Sequence, residues 1–285
     1  MDPLTKLITD YKIPVGKWGK AVIDFVVEYF QWFFDAIKQA LNFAVEGSTG
    51  LLLMIPPLLL AVLLAGLSYW LRRSWWLSLA VFLSLVFIIN QGLWKETVQT
   101  LVLVVAAAAL SMAIGVTIGI WAAHKPNVWR VVQPLLDLMQ TMPTFVYLIP
   151  ILILFGLGAA PALIVTIIFA VPAPVRMTYL GLTTIPKPML EAGESFGATK
   201  RQLLWKVELP AALPSIMVGL TQCIMLSLSM VVFATLIGAP SLGNPVNKAL
   251  ANRNIPLGIE AGLALVILAI ILDRSLAFRV GTNKK

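Results

Sequence analysis

The chain has 285 residues, of which 59% are hydrophobic and 12% charged. Soluble domains carry about 25% charged residues, so a water-soluble globule is excluded, and long unbroken apolar runs fit spanning helices rather than the alternating strands of an outer-membrane barrel. The formal charge of +8 does not by itself point to nucleic acid, because basic residues of membrane proteins gather on the cytoplasmic side and their placement matters more than their sum.

Residues 1–19 form a tail with acids, lysines, Pro3 and Pro14 in place of a basic region followed by an apolar core, so no cleavable signal is expected and the first span directs insertion. From 20 to 46 the polar positions are Lys20, Asp24, Glu28, Gln31, Asp35, Lys38, Asn42 and Glu46, at spacings of three or four. A narrow charged stripe on a wide apolar face predicts an amphipathic helix lying against lipid in the interface plane. Packing of the same face on neighbouring helices is the alternative.

Apolar runs follow at 51–71 and 75–89, an accessory pair, and then at 97–123, 135–155, 159–175, 211–239 and 257–275. The expected fold is therefore an all-α polytopic membrane protein with about seven spans. The division between 135 and 175 rests on Pro143, Pro150, Gly156, Gly158 and Pro161. Residues 276–285 are a polar tail.

Seven spans sort the basic residues by side. Thirteen fall on one side, from Arg72 and Arg73 through Lys125, Arg130, Arg176, Lys187, Lys200, Arg201 and Lys206 to Arg274, Arg279, Lys284 and Lys285. The other side has Lys95, Lys248 and Arg253, plus five lysines of the N-terminal region. The thirteen mark the cytoplasm, which leaves the N-terminus outside and the C-terminus inside. Trp70, Trp75, Trp76, Trp94, Trp121 and Trp129 fall at or near span ends, as an interfacial aromatic belt requires.

The one charged interior stretch is the cytoplasmic loop 186–210. Pro186 and Pro188 suit the first turn of a helix that continues from Met189 to Phe196, and Gly197 permits the chain to turn. Thr199 and Gln202 match a capping box that opens a second helix with Leu203, Leu204 and Val207 on its apolar face, which Pro210 is expected to end. The pattern alone allows a connecting hairpin or a docking knob for a cytoplasmic partner.

Other chemistry is sparse. No GxxxxGK[ST] loop occurs, so phosphates of ATP have no cradle in this chain, and no cofactor is expected in it. Cys223 and His124 each stand alone, and one histidine and one cysteine make neither a catalytic triad nor a metal centre. Charges within spans are limited to Asp137, at the cytoplasmic start of its run, Asp273 beside Arg274, and Glu260 near the outer end of the last run. A proton- or sodium-driven carrier is disfavoured by that shortage, since such carriers use ionisable groups deep in the bilayer.

Glu191, Ala192, Gly193, three residues, Gly197, nine residues, then Val207, Glu208, Leu209 and Pro210 resemble the EAA loop of ABC importer permeases, whose usual form is Glu-Ala-Ala, three residues, Gly, nine residues, Ile, any residue, Leu-Pro. Gly193 departs from Ala and Val207 from Ile. Residues 136–150, 227–243 and 258–274 are similar to permeases for glycine betaine, proline betaine, choline and carnitine. The resemblance covers about residues 20–275.

It implies a five-helix type I permease core at 97–275, with Glu191, Ala192, Gly193, Gly197, Ala198, Leu209 and Pro210 coupling it to cytoplasmic ATPase subunits that bind ATP and Mg. It further implies a homodimer in the bacterial inner membrane, served by an extracytoplasmic substrate-binding protein that meets the Gly- and Pro-rich outer segment 237–246. This chain would then be non-catalytic. A methylated cation can rest on aromatic faces and thioethers, so the expected pathway lining is Met139, Gln140, Thr141, Met142, Phe145 and Tyr147 with Ser227, Ser229 and Met230. Helix packing explains the same small and weakly polar residues. Another small polar solute is the alternative cargo, and a self-contained channel or carrier and a membrane-anchored scaffold are the rival readings.

Overall fold

The computed structural model of the protein describes residues 14–276, and all regular structure in them is helical. The first helix, α1 (Val15–Met54), runs unbroken through both the amphipathic segment and the start of the first apolar run. Pro56 and Pro57 end it, because neither can donate to the helix ladder. Pro57 then opens α2 (Pro57–Arg72), which leaves α1 at 108°. Arg73 closes α2 in the left-handed region, and α3 (Trp75–Asn90) returns.

The helix α4 (Trp94–His124) is a full-length span. The expected span at 135–155 is instead two helices, α5 (Pro126–Thr141) and α6 (Thr144–Phe155), bent by 99°. Pro143 forces Met142 into extended geometry, with ψ of 135°, so the helix cannot pass through it. Gly156 and Gly158, both at positive φ, turn the chain into α7 (Ala159–Ala170) and α8 (Pro172–Thr183). These last two make one span, Ala159–Thr183.

Here the expected end at residue 175 was too early: Pro172 and Pro174 sit in the first turn of α8, where a missing N–H is harmless. Arg176 consequently lies within the span and not in a loop.

The short helices α9 (Lys187–Ser195) and α10 (Lys200–Leu203) lead through a π turn (Leu204–Glu208) into α11 (Leu209–Ala234). A 3₁₀ turn (Thr235–Ile237) and α12 (Gly243–Asn252) precede the last span, α13 (Ile255–Leu276). By length and composition four helices suffice to cross a membrane, six if each bent pair counts as one span, and α3 is a shorter apolar helix.

The centre of the fold is α8 pressed between α4 and α11. Close approach is made possible by glycine. A Cβ at Gly115 would lie 2.6 Å from Cγ of Pro174, one at Gly119 2.6 Å from Cβ of Thr178, and one at Gly181 2.9 Å from Cβ of Ser215. Gly115 and Gly119 form a GxxxG face of the kind that brings membrane helices together by backbone packing.

Around this centre one face of α1 packs on neighbouring helices. Phe34 packs on Phe155 with ring centroids 5.2 Å apart, while Phe25, Trp32 and Phe43 remain exposed on the other side. Asn42 Oδ1 accepts the backbone N–H of Ala160 at 2.9 Å and fixes α1 to the start of α7. Replacing Asn42 by leucine strands that N–H, at a cost of about 1–3 kcal/mol. Thermal unfolding in detergent should show a midpoint several degrees lower, since each kcal/mol shifts a chain of this size by about 2–4 °C.

The segment 237–246 is not a solvent-exposed turn. Ser241 and Leu242 are buried, and the Leu242 N–H donates to Thr100 Oγ1 of α4 at 2.8 Å. Of the expected tryptophan belt, Trp70, Trp75, Trp76 and Trp121 are exposed, whereas Trp94 is only 9% exposed in the core and Trp129 stacks on Tyr179. These two rings found protein partners, which position at a span end does not reveal.

Candidate coupling and pathway sites

The helix α9 begins with Pro188 in its first turn and ends in a Schellman motif. The Gly197 N–H donates to Glu194 O at 2.8 Å and the Ala198 N–H to Gly193 O at 3.2 Å, with Gly197 at φ +77°. The capping box is complete: the Thr199 N–H donates to Gln202 Oε1 at 2.9 Å, and the Gln202 N–H to Thr199 Oγ1 at 3.3 Å. Two caps back to back, three residues apart, leave little slack in this elbow.

Gly193, the departure from alanine in the motif, has a local reason. A Cβ there would lie 2.7 Å from Cδ1 of Leu203, whose buried side chain closes the elbow. Leu190 and Leu209 fasten it to the core, packing with Ile120 and Ala123 of α4 around Leu182, Ile185, Ala212 and Ile216. Glu191 and Ala192 are exposed along α9, and Ala198 is half-buried at the turn. Phe196 points away from all of this, 92% exposed at the tip.

Pro210 does not end the second helix, contrary to the sequence expectation. The chain is helical from Lys200 to Ile237. Proline at 210 cannot donate to the carbonyl four residues back, and its ring would crowd that carbonyl in a regular α-helix. The π turn at 204–208 widens the ladder just before it, with the Leu209 N–H reaching Leu204 O. Glu208, at the motif position open to any residue, ends that turn 2.9 Å from His124 Nε2.

The expected pathway residues cluster around the α5–α6 bend. Gln140 and Thr141 are exposed at the end of α5, and Met142 is half-buried in the bend itself. Met139 packs beside Leu136, Val171 and Val175, and its carbonyl accepts the Tyr147 hydroxyl across the bend. Phe145 meets Phe233 of α11 edge-on, centroids 5.2 Å apart. From α11, Ser229 is exposed, with its hydroxyl returned to Met225 O at 3.1 Å. Ser227 and Met230, by contrast, are fully enclosed inside the chain.

Two contacts escaped the sequence reading. Arg176 of α8 and Asp137 of α5 are paired at 2.6 Å, and beside them along the same seam Trp129 and Tyr179 stack face to face, 3.7 Å between centroids and 5° between planes. Both tie α5 to α8. Each residue had been assigned to a span end or loop, and nothing in the local pattern linked positions so far apart. No cluster of three His, Cys, Asp or Glu side chains able to hold a metal occurs among the described residues.

Fold and site together define a multi-spanning membrane subunit that carries a rigid helical elbow on one face. The sequence profile of "binding-protein-dependent transport system inner membrane component" matches residues 115–278, and the chain belongs to that family. It is 42% identical over 265 residues to the glycine betaine transport system permease protein OpuAB of Bacillus subtilis, covering 92% of this chain and 93% of that one. It is 40% identical over 274 residues to the glycine betaine/proline betaine transport system permease protein ProW of Escherichia coli, covering 96% and 76% respectively. A chain of the inward-facing MetNI methionine ABC transporter superposes with a TM-score of 0.57 over 65% of this chain and 91% of that one, at 21% identity, which speaks for the fold. The expected type I importer permease fold is thus borne out, as is the family.

Proposed function

We propose that this chain is the permease subunit of an ATP-driven importer for quaternary ammonium compatible solutes such as glycine betaine, proline betaine, choline or carnitine. The observation that carries the reading is near-full-length identity of 40–42% to permeases named for glycine betaine, in a chain whose EAA-like loop folds as a doubly capped elbow. In this account two copies of the chain line one pathway. Cytoplasmic ATPase subunits, which hold ATP and Mg, seat on the elbows, with Phe196 buried in the contact together with Glu191, Ala192, Gly193, Gly197 and Ala198.

The N-terminus lies outside the inner membrane and the C-terminus in the cytoplasm, so that the elbow faces the ATPase. An extracytoplasmic binding protein delivers the solute to the opposite face. Gln140, Thr141, Met142, Phe145, Tyr147 and Ser229 line the pathway, with Met139, Ser227 and Met230 behind them. Aromatic faces and thioethers there give a methylated cation a surface without a buried anion. ATP-driven approach of the two ATPase subunits draws the elbows together and turns the pathway outward, and hydrolysis reverses the motion.

The test is reconstitution of the chain with its ATPase and binding protein in liposomes loaded with ATP. Radiolabelled glycine betaine should accumulate, and excess unlabelled solutes of the same class should compete. Uptake of a different small polar solute with no competition from betaines would transfer the mechanism to another cargo. Accumulation by the chain alone would refute the ATP-driven reading.

A further inference from the structure

We infer that the His124–Glu208 ion pair is a latch that carries movement of the elbow into α4, a claim that rests on the transport reading above. His124 is the last residue of α4, and its Nδ1 donates to Ile120 O at 2.9 Å. Its Nε2 lies 2.9 Å from the Glu208 carboxylate. The proposed latch takes His124 as the cationic partner of Glu208. A cation at the C-terminal end of a helix is also favoured by the exposed carbonyls there.

Glu208 is the more deeply placed partner. Its side chain is 12% exposed and its Oε2 is sealed from solvent. The Oε2 lies close to Nε2 but off the line of an aligned hydrogen bond. Exposed ion pairs contribute little, whereas breaking one whose carboxylate is withdrawn from water leaves that charge uncompensated. The π turn sets the orientation of Glu208: one extra residue in the ladder rotates the side chains before it by about 100° relative to those after it.

Lys200 and Arg201 of the elbow line a cavity of about 420 Å³ together with His124, Thr117, Ile120 and Trp121 of α4. Lys200, Arg201 and the neighbouring Lys125 are all cations, so Glu208 is the acid that faces His124 at the elbow. A continuous route leaves the latch. His124 moves α4, α4 is seated on Pro174 and Thr178 of α8 through Gly115 and Gly119, and α8 is pinned to α5 by Arg176–Asp137 and Tyr179–Trp129. The far end of α5 carries Gln140 and Thr141. A displacement of Glu208 thus has a contiguous series of packed helices and side-chain pairs leading toward the pathway.

The experiment uses the whole complex in liposomes and reads glycine betaine moved per ATP hydrolysed. His124→Leu and Glu208→Gln should each lower that ratio about tenfold, and His124→Arg, which keeps a cation within reach, should restore it to within about twofold of wild type. An unchanged ratio in His124→Leu would overturn the latch, and so would an equal loss in His124→Arg, since charge would then not be the link. Wild-type complex measured in parallel reports on the transport reading separately: absence of its uptake refutes that reading, whereas uptake by wild type leaves the variants to decide the latch.

Discussion

Replacing Gly197 by valine is expected to reduce ATP-driven uptake to background while the protein remains in the membrane. The elbow turns at Gly197 with φ of +77°, a region that costs an ordinary L-residue roughly 1–2 kcal/mol and a β-branched one more. No atom stands within 4 Å of a Cβ at this position, so the penalty is purely one of backbone conformation. It is well below the ~5–15 kcal/mol that holds a typical domain folded. The chain therefore escapes the penalty locally, by giving up the Schellman bonds to Glu194 and Gly193 and reorienting α9.

Gly197→Asn is the matching control. Asparagine tolerates the left-handed region, so uptake should persist. Uptake assays paired with immunoblots of the membrane fraction separate loss of coupling from loss of protein.

Gly119→Leu should act on the fold itself and lower its stability. Its Cβ would sit 2.6 Å from Thr178 Cβ and 2.9 Å from the Val175 carbonyl oxygen, and backbone on that side cannot move without separating α4 from α8. Overpacking of this kind costs about 1–3 kcal/mol, which corresponds to a fall of several degrees in the unfolding midpoint. Adding Gly115→Leu, 2.6 Å from Pro174 on the next turn, should prevent accumulation of folded protein. Gly119→Ala, with the same Cβ but nothing beyond it, should fall between wild type and leucine. Midpoints measured in detergent by a thermal ramp order the series, and a leucine variant as stable as wild type would contradict close α4–α8 packing.

The two halves of this protein differ in how openly the sequence declares them. Apolar runs located the main spanning helices, because in a membrane a backbone must satisfy itself within each segment, but not the breaks at Pro56 and Pro143 or the helix Gly243–Asn252. Much of the elbow was legible for the same reason: Gly197 at its turn, its capping box and Pro188 at the start of α9 each act on atoms within four residues. Where the local reading failed, a neighbour distant in sequence decided in most cases, and at Pro210 a change in the adjoining helical turn did. The apolar run stops at 175, before Arg176, yet α8 continues to Thr183 between α4 and α11.

Pro210 looked like a stop, yet a π turn absorbs it. Trp94 and Trp129 looked like belt residues, yet one lies in the core and the other stacks on Tyr179. The Arg176–Asp137 and His124–Glu208 pairs join charges 39 and 84 positions apart, which no periodicity encodes. The GxxxG at Gly115–Gly119 was present in the sequence as a signal for one such contact.

Force entering through the elbow is the claim on which the account turns, and Phe196 at its tip offers the most direct measurement. Because Cys223 is buried, a Phe196→Cys, Cys223→Ser chain carries one accessible thiol on the elbow. In the assembled complex that thiol should cross-link to the ATPase through a short bifunctional reagent, be shielded from maleimide, and stop ATP-driven uptake once cross-linked. A thiol that labels freely in a complex transporting at full rate would contradict the account.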